Sequence, residues 1–195
     1  MTTAGADEDC SMSRSGTPVG EDERATPVLR LAVPGDAEAV RALIRLSTDV
    51  LLARVLPPEQ VAASHLFMAL DTQLLADGTY FAVEVDGVLA GCGGWSRRAT
   101  NFGGDQSEGR NPRLLNPATE PARIRAMYTH PDFTRLGIGR MILKAGEDAA
   151  RAEGFNTIQL HATMGGMPLY RACGFREIAH ETASGVPIVH MMKDL

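Results

Sequence analysis

Thr134-Arg135-Leu136-Gly137-Ile138-Gly139 stands between an apolar strand-like run and an amphipathic helix, and this placement constrains the chain more than any other feature. Glycine has no side chain to block a ligand and tolerates unusual backbone angles, so Gly137 and Gly139 let N–H groups converge on an oxygen-rich anion. Ile138, Met141, Ile142, Ala145 and Ala149 then recur at helical spacing, while Arg140, Lys144, Glu147, Asp148 and Arg151 fall mostly elsewhere. That pattern predicts a helix with one apolar face, stopped by Gly154. Its unpaired N–H groups and positive dipole end would lie at Gly137 to Arg140, where a pyrophosphate is stabilised. Two other phosphate motifs are excluded by the letters themselves. The third glycine of a dinucleotide fingerprint is replaced by Ile142, and Gly-x-x-x-x-Gly-Lys-[Ser/Thr] does not occur.

A chain of 195 residues with 44% apolar content can bury one substantial core, which predicts a single domain over residues 27–195. Residues 1–26 carry Asp7, Glu8, Asp9 and several Ser and Gly with almost nothing apolar, so a flexible N-terminal tail is expected there. A secretory leader and any run approaching 18 apolar residues are missing, which leads to the expectation of a soluble, cytoplasmic protein with no membrane contact. Cys10, Cys92 and Cys173 are odd in number and scattered, arguing for reduced thiols rather than a disulfide frame or a zinc site built on Cys. The net charge of −5 offers no basic field, so nucleic acid is not an expected partner. The five histidines form no His-x-x-x-His pair, and no metal is expected.

Hydrophobic periodicity supplies an order of elements. Val28 to Val33 reads as a strand, Asp36 as the cap of a helix with Val40, Leu43 and Ile44 inward, and Pro57-Pro58 as the start of a second helix running to Leu70. Tyr80 to Val85 and Val88 to Trp95 flank Asp86-Gly87, a strong hairpin signal. Arg97 to Glu120 reads as a long loop, either facing substrate or disordered. Ile124 to Thr129 and Thr157 to Ala162 bracket the glycine-rich helix as parallel neighbours. Met167 to Cys173 follows as a short helix, and Phe175 to His180 and Ile188 to Met192 as closing strands.

Two motifs in order then acquire a shared meaning. Thr129-His130-Pro131 followed by Thr134-x-x-Gly137-x-Gly139, with Thr163-x-x-Gly166-x-x-Leu169-Tyr170-x-x-x-Gly174-Phe175 downstream, resembles the acyl-CoA site of the GNAT (Gcn5-related N-acetyltransferase) superfamily. Met192-Lys193-Asp194-Leu195 is similar to that family's last strand, and the likeness spans about residues 28–195. It implies an α/β fold of the mixed α+β kind. The sheet would be central, mixed and mostly antiparallel, with a splayed parallel pair of central strands and helices on both faces. It also implies an N-acetyltransferase that moves an acetyl group from acetyl-CoA to a primary amine of a small molecule or peptide, and a homodimer as a possible assembly. Three letters depart from the pattern: Thr134 stands for Arg or Gln, Thr163 for Asn, and Gly166 for Ala. An acyl-CoA-binding sensor without turnover is the alternative these departures keep open.

Carried over residue by residue, the resemblance assigns the pantetheine arm to the backbone of Met127, Tyr128 and Thr129. The diphosphate falls to Thr134, Arg135, Leu136, Gly137, Ile138, Gly139 and Arg140, and Thr163 supplies a further donor. Tyr170 is the catalytic candidate: a phenol with pKa near 10 can protonate a departing thiolate whose conjugate acid lies near 8.5. One branch of the family carries a Glu base on the strand after the helix, and the matching position here is Ile158. Glu120, His161 or water remain as the base. Cys173 reads as packing, and Trp95 as either core or stacking platform. Arg123 and Arg125 share one strand face, either for an anionic substrate or neutralised by carboxylates.

Overall fold

The computed structural model describes residues 26–195. All but the last residue of the expected N-terminal tail, and Cys10 with it, lie outside the described residues. Seven strands and five α-helices follow in the order β1 (Val28–Leu31), α1 (Ala37–Leu51), α2 (Pro58–Ser64), α3 (Thr72–Ala76), β2 (Tyr80–Val85), β3 (Val88–Ser96), β4 (Ala122–Thr129), α4 (Ile138–Ala152), β5 (Thr157–Thr163), α5 (Met167–Ala172), β6 (Arg176–Ala183) and β7 (Val186–Asp194). They form one sheet in the order β1-β2-β3-β4-β5-β7-β6. Every neighbouring pair is antiparallel except β4 and β5. The expected mixed sheet with a parallel central pair is therefore present.

Alternation along β2 explains why both faces are covered. Phe81, Val83 and Val85 join the core beneath α4, while Tyr80 and Ala82 point into a second core with Val40, Leu43 and Ile44 of α1 and Leu74 of α3. The buried positions of α1 recur at helical spacing, which makes it a one-sided helix. Asp86 and Gly87, at φ of 50° and 77°, turn the β2–β3 hairpin as the Asp-Gly pair requires.

Several expected boundaries move for identifiable reasons. Asp36 does not cap α1 with its side chain; it lies in a 3-10 turn, accepts the Val33 N–H at 2.8 Å and binds Arg30 at 2.7 and 2.9 Å. The second helix ends at Ser64 instead of running to Leu70, and the separate α3 is capped by Asp71, whose carboxylate accepts the Gln73 N–H at 3.1 Å. The buried stripe of α4 is centred on Ile138, Ile142, Leu143, Gly146 and Ala150, so Met141, Ala145 and Ala149 only flank it. Glu147 sits inside that stripe, where Lys193 donates to it at 2.9 and 2.8 Å. Gly154 does end α4: at φ 88° its N–H reaches the Arg151 carbonyl, and the Phe155 N–H reaches Ala150.

The 97–120 segment is ordered by ion pairs. Arg98 grips Asp77, Arg113 grips Glu120, and Arg110 grips Asp71, while Arg98 and Leu114 form an isolated bridge. Arg125 on β4 reaches Asp71 at 3.0 Å and the carbonyls of Thr100 and Gly103 at 3.0 and 2.7 Å, so it is neutralised and ties the segment to the sheet. Arg123 binds Asn101 and the Pro121 carbonyl in the same way. Trp95 is core, packed edge-on against Phe155. Cys92 and Cys173 are free thiols.

Candidate active site

The parallel pairing of β4 with β5 covers only Ala122 with Ile158 and Arg123 with Gln159. Beyond Arg123 the two strands splay, leaving the β5-facing edge of β4 without a strand partner from Ile124 to Thr129. A bulge sits in the same stretch. Between the Cys92–Tyr128 and Gly94–Arg125 pairs, β4 has one residue more than β3, and Ala126 adopts φ 50°. A non-glycine residue in that region is strained, and Tyr80 holds it there by donating its hydroxyl to the Ala126 carbonyl at 2.8 Å. Met127, Tyr128 and Thr129 thus present backbone groups at the splay.

The helix mouth lies just downstream. Arg135 and Gly137 both have positive φ, 69° and 81°, so the chain coils tightly before Ile138. The first bond within the helix is donated by Met141 to the Gly137 carbonyl at 3.0 Å, which leaves the N–H groups of Ile138, Gly139 and Arg140 outside the ladder. A Cβ placed on Gly137 would meet nothing within 4 Å, so no side chain crowds the residue that precedes those amides. Thr134, Arg135, Leu136 and Arg140 surround the mouth with at least partly exposed side chains, two of them cationic. The two glycines differ in purpose. A Cβ on Gly139 would lie 2.8 Å from Leu169, so this residue is small to let α5 pack against α4.

A cleft with about 680 Å³ of empty space, including its open mouth, runs beside the bulge. Met127, Tyr128, Thr163, Tyr170 and His161 line it, and the ordered segment contributes Asn101 and Phe102, the latter packed edge-on against Phe67. Tyr170 is buried, and burial followed by the nearby Cys173 pushes its phenol well above 10, so it keeps its proton at neutral pH. Its ring packs edge-on to Phe175, and a Cβ on Gly166 would come 2.9 Å from it, which explains a glycine at the departure position. Tyr128 is a second buried phenol on the same wall, likewise pushed upward by burial.

The base candidates separate clearly. Glu120 is held by Arg113 at 2.9 and 2.7 Å and accepts the Asn116 N–H, which lowers it to about 2; it does not line the cleft. His161 does line the cleft, but burial and then His190 lower it to about 4. Ile158 is fully buried in the core. The sequence reading missed Tyr80, Phe102, Asn101 and His190. Their roles come from partners on distant strands and loops, and no spacing along the chain encodes them.

The family model described as "Acetyltransferase (GNAT) family" matches residues 48–175, more than half of the chain. The chain belongs to this acetyltransferase family, and membership makes it an acyltransferase. Among solved structures it is similar to a GCN5-related N-acetyltransferase from Rhodopseudomonas palustris, with a TM-score of 0.65, 22% identity, and coverage of 90% of this chain and 100% of that one. It is also similar to the PaiA N-acetyltransferase of Thermoplasma acidophilum in complex with coenzyme A, with a TM-score of 0.61, 15% identity, and coverage of 87% and 99%. A ribosomal-protein-alanine N-acetyltransferase from Brucella melitensis aligns with a TM-score of 0.57, 19% identity, and coverage of 86% and 99%. No protein of curated function matches the chain. No helix among the described residues is long and apolar enough to cross a membrane.

Proposed function

We propose that this protein is an N-acetyltransferase that moves the acetyl group of acetyl-CoA directly to a primary amine of a small molecule or peptide. The observation that carries this reading is a protonated Tyr170 on the cleft that the unpaired edge of β4 lines at Met127 and Tyr128, with a helix start at Gly137 following that strand in the chain. Acetyl-CoA supplies an activated acyl group whose sulfur leaves as a thiolate. The amides of Ile138, Gly139 and Arg140, aided by the dipole of α4, suit its diphosphate. The free groups of Met127 to Thr129 suit the amides of the pantetheine arm as an added strand would. Thr163 offers a hydroxyl beside that arm, in place of an amide side chain.

Three tasks remain for the transfer itself. The β5-facing edge of β4, free of a strand partner, offers backbone N–H near Thr129 as a donor for the carbonyl oxygen as charge builds on it. The Tyr170 hydroxyl donates to the departing sulfur. The proton of the attacking amine leaves through water, because Glu120 is outside the cleft and His161, at about 4, is too weak a base for an ammonium group. Phe67, Phe102 and Asn101 form the wall facing the acceptor, so they are the groups that select it.

Calorimetry with acetyl-CoA, followed by thiol detection of CoA released with a panel of primary amines, tests the proposal. Saturable binding with amine-dependent release is expected. Tight binding with no release on any amine would instead identify a sensor of acyl-CoA, and absence of binding would overturn the cofactor assignment.

A further inference from the structure

The sheet brings together three metal-ligating side chains that lie far apart in the chain. His161 on β5 and His190 on β7 are direct cross-strand partners. Glu181 on β6 lies two residues beyond Ala179, the partner of His190, so it shares their face of the sheet. One ligand atom from each of the three lies within 4.8 Å of the others. The Nε2 of His161 is 3.6 Å from a Glu181 oxygen.

This cluster is also polar without being satisfied. His161 Nδ1 and His190 Nε2 are buried and have no hydrogen-bond partner, although the two rings stack at 4.9 Å. A buried imidazole nitrogen without a partner is costly, and paired burial of two such rings on adjacent strands is not explained by packing alone. The His161 side chain is only 5% exposed, while Glu181 is 43% exposed, so the site is closed beneath and open to solvent at the carboxylate. We propose that His161, His190 and Glu181 form a site for a divalent transition-metal ion of the zinc class. Two imidazoles and one carboxylate match the borderline donors that Zn²⁺, Co²⁺ and Ni²⁺ prefer over Mg²⁺ or Ca²⁺.

The fit requires a small rearrangement. Tetrahedral Zn²⁺ with bonds near 2.1 Å sets its ligand atoms roughly 3.4 Å apart. The rings are nearly parallel, 7° between planes, so one must turn about its terminal torsion to aim at a shared ion. That torsion is soft in histidine. Because His161 also lines the cleft and touches Phe102, an ion there sits on the acceptor wall.

The test uses the full chain, stripped with chelator and free of acetyl-CoA, so it stands apart from the transferase reading. Titration with Zn²⁺ should show one ion bound per chain at micromolar Kd or tighter, and Co²⁺ should develop visible d–d absorption. His190→Ala and Glu181→Gln should each weaken Zn²⁺ binding by at least ~10-fold, since losing even an outer-shell partner of a ligand costs that much. Glu181 is exposed enough that its variant reports even where His190→Ala fails to fold. His180→Ala, altering a surface histidine one residue before Glu181, should leave the affinity unchanged. Millimolar or absent Zn²⁺ binding overturns the proposal, as does equal affinity in Glu181→Gln or an equal loss in His180→Ala.

Discussion

Tyr170 is buried within α5, where its phenol is held above its ordinary pKa and so keeps its proton at neutral pH, as the proposed donor role requires. Replacing it with Phe removes one hydroxyl and leaves the ring contact with Phe175 intact. Turnover in Tyr170→Phe should therefore fall by roughly one to three orders of magnitude with acetyl-CoA affinity nearly unchanged, read from kcat and from calorimetry on the same preparation. Unaltered kcat would pass the donor role to another group, with Tyr128 the nearest phenol on the wall. At this scale much was legible. Gly137 and Tyr170 stood out as candidates because each sits in a short local motif, and the fold places Tyr170 on the cleft. Tyr80 was not, since its hydroxyl works on Ala126, 46 residues away.

Among the elements, Asp71 joins more of the structure than any single strand boundary suggests. Its carboxylate caps α3 through the Gln73 N–H, receives Arg125 from β4 and receives Arg110 from the ordered segment. Both Asp71 and Arg125 are almost fully buried. Removing one partner strands a buried charge, so Asp71→Ala should lose about 3–5 kcal/mol in urea unfolding. A loss below about 1 kcal/mol would mean that solvent reaches Arg125 readily. The 97–120 segment was readable only as a loop, its composition being Gly, Asn, Asp and Pro. Its order comes from arginines whose partners lie in other elements, so neither substrate contact nor disorder could be decided from the letters.

For the molecule as a whole, acid stability follows from carboxylates that the fold pairs. Arg98, and then Gln73, hold Asp77 below the usual carboxylate range. A carboxylate with a depressed folded pKa adds stability that is fully present above its unfolded value, near 4, and is lost as pH falls through the folded value. Wild-type Tm should thus decline as pH drops below about 5, and Asp77→Asn should lower Tm at pH 7 while flattening that decline; parallel curves would show that Asp77 does not contribute. The chain by itself determined most of the elements, the glycine-rich helix start and the family pattern, because turn chemistry, periodicity and capping act over a few neighbouring residues. Tertiary structure alone decided how briefly β4 pairs with β5, the strained bulge at Ala126, the burial of Glu147 and the meeting of His161 with His190. These depend on which strands become neighbours, and register across a sheet is a long-range outcome of packing both faces at once.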